Sequence, residues 1–275
     1  MEMKPLMDQW HFDPLIILLL VSITYLYYLI TGFKQIKSTL YFLTGILLFI
    51  VAECSPLNEL GMHNYFSAHM IVHIVILLIC GPLLVISLNP QTISPLYNGI
   101  LAMSSFFAKH SWIAWICGVG IMWFWHIPAI FDGSMASMQV SFSFIPVLQG
   151  GSMLLAGMLF SWPIFGPFKG EHLQPLSGIV YLFTACASCS LLGLLITFAP
   201  LNTWHHYTAM QMPSGNPWNI TPTEDQQAAG LIMWVPCCFV YLSGCLYLLY
   251  RWFAEADFPT KQATIGMNTS IIDHD

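Results

Sequence analysis

The chain has 275 residues, of which 57% are hydrophobic and only 7% charged, with a formal net charge of −6. Soluble domains carry about 25% charged residues, so this chain cannot cover itself with a solvated surface, and the composition excludes a soluble globular protein in favour of an integral membrane one. No basic patch marks a nucleic-acid partner, and the acidic balance says little about partners because Asp257, Asp273 and Asp275 lie in a polar tail.

About 20 apolar residues cross a bilayer as a helix. Seven such runs are predicted, at roughly 14–31, 39–54, 66–88, 112–130, 138–160, 177–199 and 227–251. The expected fold is an all-α integral membrane bundle of seven transmembrane helices. It forms one domain over 1–254, followed by a polar cytoplasmic tail at 255–275. The first helix opens at "DPLIILLL", with Asp13 as N-cap and Pro14 at the first helical position. It is long and has no small-residue cleavage site, so it reads as a retained helix. The segment 89–111 reads as a loop with an interfacial helix, or as a short re-entrant piece. The "PVLQGG" start of the fifth run, with Pro146, Gly150 and Gly151, could be a broken helix of the kind transporters use. No second repeat carries a matching interruption.

With seven spans, Lys34, Lys37, Lys109, Lys169, Arg251 and Lys261 fall on one side and only Lys4 on the other. Cytoplasmic loops carry the excess of Lys and Arg, so the N-terminus is expected outside and the C-terminus in the cytoplasm. The 10 Trp and 11 Tyr suit bilayer interfaces. Of the eight cysteines, seven lie within apolar runs and Cys54 at the end of one. Free Cys behaves as a small buried hydrophobe, so no disulfide framework is expected. "CASC" at 186–189 has the spacing of a metal or redox pair, but it sits mid-helix and reads as packing.

The polar residues that can do chemistry gather on the expected outer face. In "SAHMIVHIVILL", His69 and His73 stand four residues apart in an apolar run. Positions i and i+4 share one helix face, so two imidazoles can bind one metal ion there. Copper or zinc needs three or four ligands, and His126 at similar depth on the next span is the expected third. Thioethers suit Cu(I), and Met62, Met70 and Met233 lie on the same side. Met70 points about 100° away from His69 on its helix, which makes it the least favoured. His63 is an accessory candidate.

His205 and His206 in "WHHYTAM" cannot share one helix face. They read as an exposed loop, or with Met210 and Met212 as a low-affinity collecting loop. "NIT" at 219–221 is a weak glycosylation triplet. At "TPTEDQQAAGLIMWVP", Thr223 can cap the last helix with Gln226 at the capping-box position, and Glu224 and Asp225 favour the helix dipole. Asp225 could also orient a histidine by accepting from its second ring nitrogen. Histidine in membrane helices can instead be interhelical polar glue.

"SAHMIVHIVILLICGPLL", "MWFWHIPAIFDG" and "TPTEDQQAAGLIMWVP" together resemble the CtaG family of cytochrome c oxidase assembly proteins, over about 60–236. The resemblance implies a polytopic protein of the bacterial inner (plasma) membrane that helps mature haem-copper oxidases by supplying copper to the catalytic subunit. His69, His73, the Pro82 region, His126 with Pro128, the Asp225–Gln226 pair and the Met233–Trp234 pair match its motifs. Family members tend to carry histidines in the fifth helix before an aromatic-Trp-Pro ending. Here that helix ends in "SWPI", but Gln149 stands roughly where a histidine is expected, which implies weaker metal binding, use of Met153 or Met158 instead, or a divergent member with another role. The implied partners are a haem-copper oxidase subunit and a periplasmic copper donor. No nucleophile-base constellation or phosphate loop is present, so no enzyme is expected. The rival readings are a b-type haem or quinone-interacting redox protein using His73 and His126, and a cofactor-free assembly scaffold. The chain lacks "CxxCH" for covalent haem.

Overall fold

The computed structural model describes residues 10–93, 96–138, 143–209 and 220–272, with side chains described through 254. The tail side chains, Met210, Met212, Asn219 and Lys4 lie outside the described residues. All regular structure among the described residues is helical. Six helices are long and apolar enough to cross a membrane, and a seventh span arises if one bent helix pair counts as a single crossing.

The first span, α1 (Pro14–Thr31), starts as its sequence dictates. The Asp13 carboxylate accepts from Leu15 N–H at 2.7 Å, and Pro14 occupies the first turn. Gly32 ends it in the left-handed region at φ 59°, donating to Tyr28 O, a conformation that costs Gly little. The chain returns as α2 (Ile36–Cys54) and folds over in the short α3 (Pro56–His63), capped by Ser55 Oγ.

The third span, Phe66–Ile86, is 21 residues long and changes pitch midway. It comprises α4 (Phe66–Val75), a π-helical stretch at Ile76–Cys80, and α5 (Gly81–Ile86). The Gly81 N–H bonds Ile76 O, five residues back. Pro82 has no N–H to offer, and the wider turn just before it absorbs the missing bond. Gly81 also lets two helices touch. A Cβ there would lie 2.6 Å from the Gly157 backbone of α9 (Ile145–Phe165), a small-residue contact of the kind membrane helices use to approach closely.

Residues 97–109 form α6 (Tyr97–Lys109), as the interfacial-helix reading expects. The fourth crossing is shorter than its apolar run. α7 (Ser111–His126) stops because Ile127, preceding Pro128, is extended. The chain then bends by 71° into α8 (Pro128–Met138). So 128–130 belongs to a separate helix, and the fifth span begins at Ile145, not 138. Pro146 sits in its first turn, where a missing N–H is harmless. The helix then runs unbroken through Gly150 and Gly151, which removes the broken-helix reading.

The sixth span, α10 (Pro175–Phe198), leads to the short α11 (His205–Ala209). The last helix, α12 (Pro222–Ile272), runs for 51 residues, so the expected tail continues the helix. Its cap lies two residues earlier than expected. Thr221 Oγ1 accepts from Glu224 N–H at 3.3 Å, and Glu224 Oε2 accepts from Thr221 N–H at 2.8 Å. This reciprocal box places Thr223 inside the helix and frees Gln226 for another use.

α12 packs along α10 and crosses α4, while α7 lies on α9. Buried side-chain bonds stitch spans together. Trp125 Nε1–H donates to Ser152 Oγ at 2.9 Å, Trp162 Nε1–H to Ser104 Oγ at 3.0 Å, and Tyr181 O–H to Phe160 O at 2.8 Å. Large apolar side chains such as Leu18, Phe183 and Phe239 are exposed around the outside, as suits a lipid-facing surface. The helix directions gather Lys34, Lys37, Lys109, Lys169 and Arg251 at one end of the bundle. Cys54, Phe66, His126, Phe198 and Pro222 meet at the other, here called the histidine end.

A candidate metal site at the histidine end

Two contacts fix the start of the histidine-bearing helix. Its first N–H groups have no partner within α4. Asp225, in the first turn of α12, supplies one from outside. Its carboxylate accepts from Phe66 N–H at 2.6 Å, from Ser67 N–H at 3.2 Å and from the Ser67 hydroxyl. Asp225 therefore caps α4, and among the described residues no histidine ring donates to it, in place of its expected role as a histidine-orienting acceptor. Beside it, Gln226 Nε2 donates to Ile196 O at 3.0 Å and Ala199 O at 2.8 Å, closing the end of α10. Glycine makes the second contact possible. A Cβ on Gly61 of α3 would stand 2.8 Å from the His69 backbone nitrogen.

The three predicted histidines come together, all nearly fully buried. The His69 and His73 ring centroids are 4.2 Å apart, and those of His73 and His126 are 5.2 Å apart. His69 has no hydrogen-bond partner at either ring nitrogen, and His73 has none at Nδ1. Buried polar atoms are almost always paired, so three orphaned nitrogens in one cluster point to a ligand. His126 is oriented differently. Its Nδ1 lies 2.6 Å from Met122 O. A carbonyl only accepts, so Nδ1 carries the proton and Nε2 presents its lone pair. That Nε2 lies 3.2 Å from the Met70 sulphur. Met70, least favoured from the sequence, is thus the methionine that meets a histidine. The rotation that turns it from His69 turns it toward α7, where His126 stands.

The other sequence candidates are more scattered. Met62 lines a small cavity with His69 and His73. Met233 is fully buried in the apolar core. His63 is half-exposed and pairs with Glu59 at 3.4 Å. Met153 is fully buried one turn beyond Gln149. The Asp132 carboxylate caps α11, accepting from the His205 and His206 N–H groups at 3.1 Å each. His206 Nε2–H then donates to Met62 O at 3.0 Å, and Tyr207 donates to Gly61 O. Burial, with the Asp225 charge adding, pushes the Tyr207 phenol well up, so it stays a donor. The "HH" pair therefore helps close the end of the bundle over α3, while Met210 and Met212 of the collecting-loop reading lie outside the described residues.

Two cavities approach the histidines. The inner one is about 10 Å³, room for one water or ion, and is lined by Glu53, Asn58, Met62, His69, Val72, His73, Met138, Pro146 and Gln149. Gln149 faces this space with its Nε2 unpartnered. The outer cavity is about 270 Å³ and carries Asp13, Glu59 and His63. Glu53 borders both and was not singled out from the sequence. An acid closing the apolar run "ILLFIVAE" was the available signal. Below the histidines, Cys189 Sγ lies 3.7 Å from Met122 Sδ, and Cys186 Sγ lies 3.4 Å from Cys238 Sγ. All eight cysteines are free. Among the described residues, no three His, Cys, Asp or Glu side chains stand ready around one ion. The histidine cluster is a row of three with Met70 at one end.

Compared with known families, residues 30–255 match the model described as cytochrome c oxidase caa3 assembly factor (Caa3_CtaG). The chain belongs to this family. No curated protein and no solved structure matches it. As a caa3 assembly factor it is a multi-pass membrane protein that serves a haem-copper oxidase. The family match contains His69, His73, His126, Gln149 and Asp225, while His11 and Asp13 of the outer cavity precede it.

Proposed function

We propose that this assembly factor takes up a copper ion at its histidine end and passes it to the catalytic subunit of a haem-copper oxidase. Copper is here the cargo, held by His69, His73 and His126 with the Met70 thioether. The observation that carries the reading is the set of orphaned imidazole nitrogens on His69 and His73, beside a His126 whose lone pair faces sulphur. Imidazole suits copper in both oxidation states, and thioether favours Cu(I). Met122 O fixes the His126 tautomer, as a backbone carbonyl does for metal-binding histidines generally.

The lysine-rich end is read as cytoplasmic, so the histidine end faces outward, where a periplasmic copper donor can reach it. The membrane is read as the bacterial inner membrane. The inner cavity of about 10 Å³ accommodates an ion and leaves no space for a porphyrin, which favours the ion over the b-type haem reading.

The test is copper analysis of the full-length protein purified in detergent and loaded with Cu(I), with an absorption spectrum of the same sample. About one copper per chain, lost in His69→Ala/His73→Ala while membrane abundance is retained, is the expected result. An unchanged stoichiometry in the double variant removes the copper site. A Soret band moves the reading to haem. Loss of abundance without any copper phenotype moves it to a cofactor-free scaffold.

A further inference from the structure

Glu53 stands at the last turn of α2, where the inner and outer cavities meet. Both are lined by Glu53, Asn58, Met62, Met138 and Pro146. These shared walls set the two cavities side by side, the outer toward the end of the bundle and the inner against His69 and His73. Glu53 is only 8% exposed. Its carboxylate lies directly against Gly150 of α9, which has no Cβ to displace it. No lysine or arginine pairs with it among the described ion pairs. Asn58, the nearest amide on α3, donates to the Glu53 backbone carbonyl at 2.7 Å and not to the carboxylate. A carboxylate so deeply buried is costly without a compensating cation, and intramembrane acids mark ion pathways.

A second, independent feature points the same way. Gln149, 4% exposed and on the turn of α9 next to Gly150, faces the inner cavity with an unpartnered amide. Two buried polar side chains from different helices, Glu53 and a Gln149 whose Nε2 is unpartnered, therefore flank the passage that ends at the orphaned histidines.

We propose that Glu53 is the electrostatic guide for the metal cation: its carboxylate draws Cu(I) from the outer cavity into the neck, where His69 and His73 take it up as ligands. This rests on the copper reading above and adds a residue and a route to it. Among the described lining residues Glu53 is the one acid at the inner cavity, and an arriving cation favours its charged form, so it meets the cation before any imidazole does. The acids Asp13 and Glu59 in the outer cavity extend the same field outward. Final retention belongs to the histidines, so Glu53 governs how fast the site fills more than how much it holds.

The experiment is stopped-flow transfer of Cu(I) from a chromophoric chelator to the full-length protein in detergent under reducing conditions. It compares wild type, Glu53→Gln, Glu53→Asp and Gly150→Ala. Glu53→Gln removes the charge at constant shape and is expected to slow loading about tenfold or more, the scale on which a focusing charge alters association rates. Its final copper content should match wild type. Glu53→Asp should load at a rate nearer wild type. Gly150→Ala keeps the carboxylate but pushes it out of the neck, and is expected to slow loading as well, so the idea stays testable if Glu53→Gln folds poorly. Loading of Glu53→Gln and Gly150→Ala at the wild-type rate overturns the entry role while leaving the histidine site standing. A wild-type protein that takes up no Cu(I) overturns both.

Discussion

Asp225 shows how one side chain can serve a site it never touches. By accepting three hydrogen bonds from Phe66 and Ser67, it locks the start of α4 to the start of α12 and so sets the height of His69 one turn below. Hydrogen bonds to a charged group contribute about 1.5–3 kcal/mol. Asp225→Ala is expected to lower stability by roughly that amount, read as a drop in the thermal unfolding midpoint in detergent, with Asp225→Asn intermediate. An unchanged midpoint would mean the cap does not hold α4. Met70→Leu is close to volume-conserving and should cost under about 1.5 kcal/mol of stability. Copper affinity should nevertheless fall by about tenfold or more if the thioether is a ligand, the range seen when a site loses a supporting group. A competition titration that finds equal affinity would assign Met70 to packing. The three histidines were legible in the sequence because i and i+4 spacing in an apolar run is a strong constraint. The Met70 contact with His126 was not legible because it depends on where α7 lies, and one helix's periodicity says nothing about its neighbour's position. Glu53 escaped because it stands at the seam between a span and a loop, where a charge looks unremarkable.

At the scale of elements, the third span is where sequence and packing meet most tightly. Its π-helical stretch shifts the face of the helix just below His73, so the register that presents His69 and His73 to the cavity differs from the one that presents Gly81 to Gly157. Gly81→Ala would place a methyl 2.6 Å from the Gly157 backbone. Overpacking of this kind typically costs about 1–3 kcal/mol. The expected outcome is a lower unfolding midpoint and reduced membrane abundance, and a neutral result would show that α5 and α9 can part without penalty. Thr221→Ala removes one half of the α12 capping box and should cost about 1 kcal/mol, whereas Thr223→Ala should be close to neutral. The existence of the spans was readable from apolar length alone. Their limits were not, and each miss has a local cause. Pro128 stops α7 short of its apolar run. Pro146 starts α9 instead of interrupting it. Thr221 with Glu224 outcompetes Thr223 with Gln226, because Gln226 is drawn away to the end of α10. The π turn has no periodic signature, and only Pro82 hinted at it.

The whole molecule is polarised. The described basic residues occupy one end of the bundle, while buried imidazoles, Glu53 and the two adjoining cavities occupy the other. The proposed orientation, with seven crossings and the basic end in the cytoplasm, predicts that a fluorescent protein fused after Asp275 fluoresces and that alkaline phosphatase fused at the same point is inactive. The reverse pattern would place the histidine end inside and remove the periplasmic route. Polarity also separates two possible copper environments. The histidine row with Met70 offers nitrogen and one sulphur, while the cysteines of α10 and α12 deeper in the bundle offer sulphur alone. X-ray absorption spectroscopy at the copper edge of the Cu(I)-loaded, full-length protein distinguishes them directly. The proposed site predicts a shell of imidazole nitrogens with one sulphur, the sulphur disappearing in Met70→Leu. A shell made only of sulphur, or copper that does not stay bound, would contradict it.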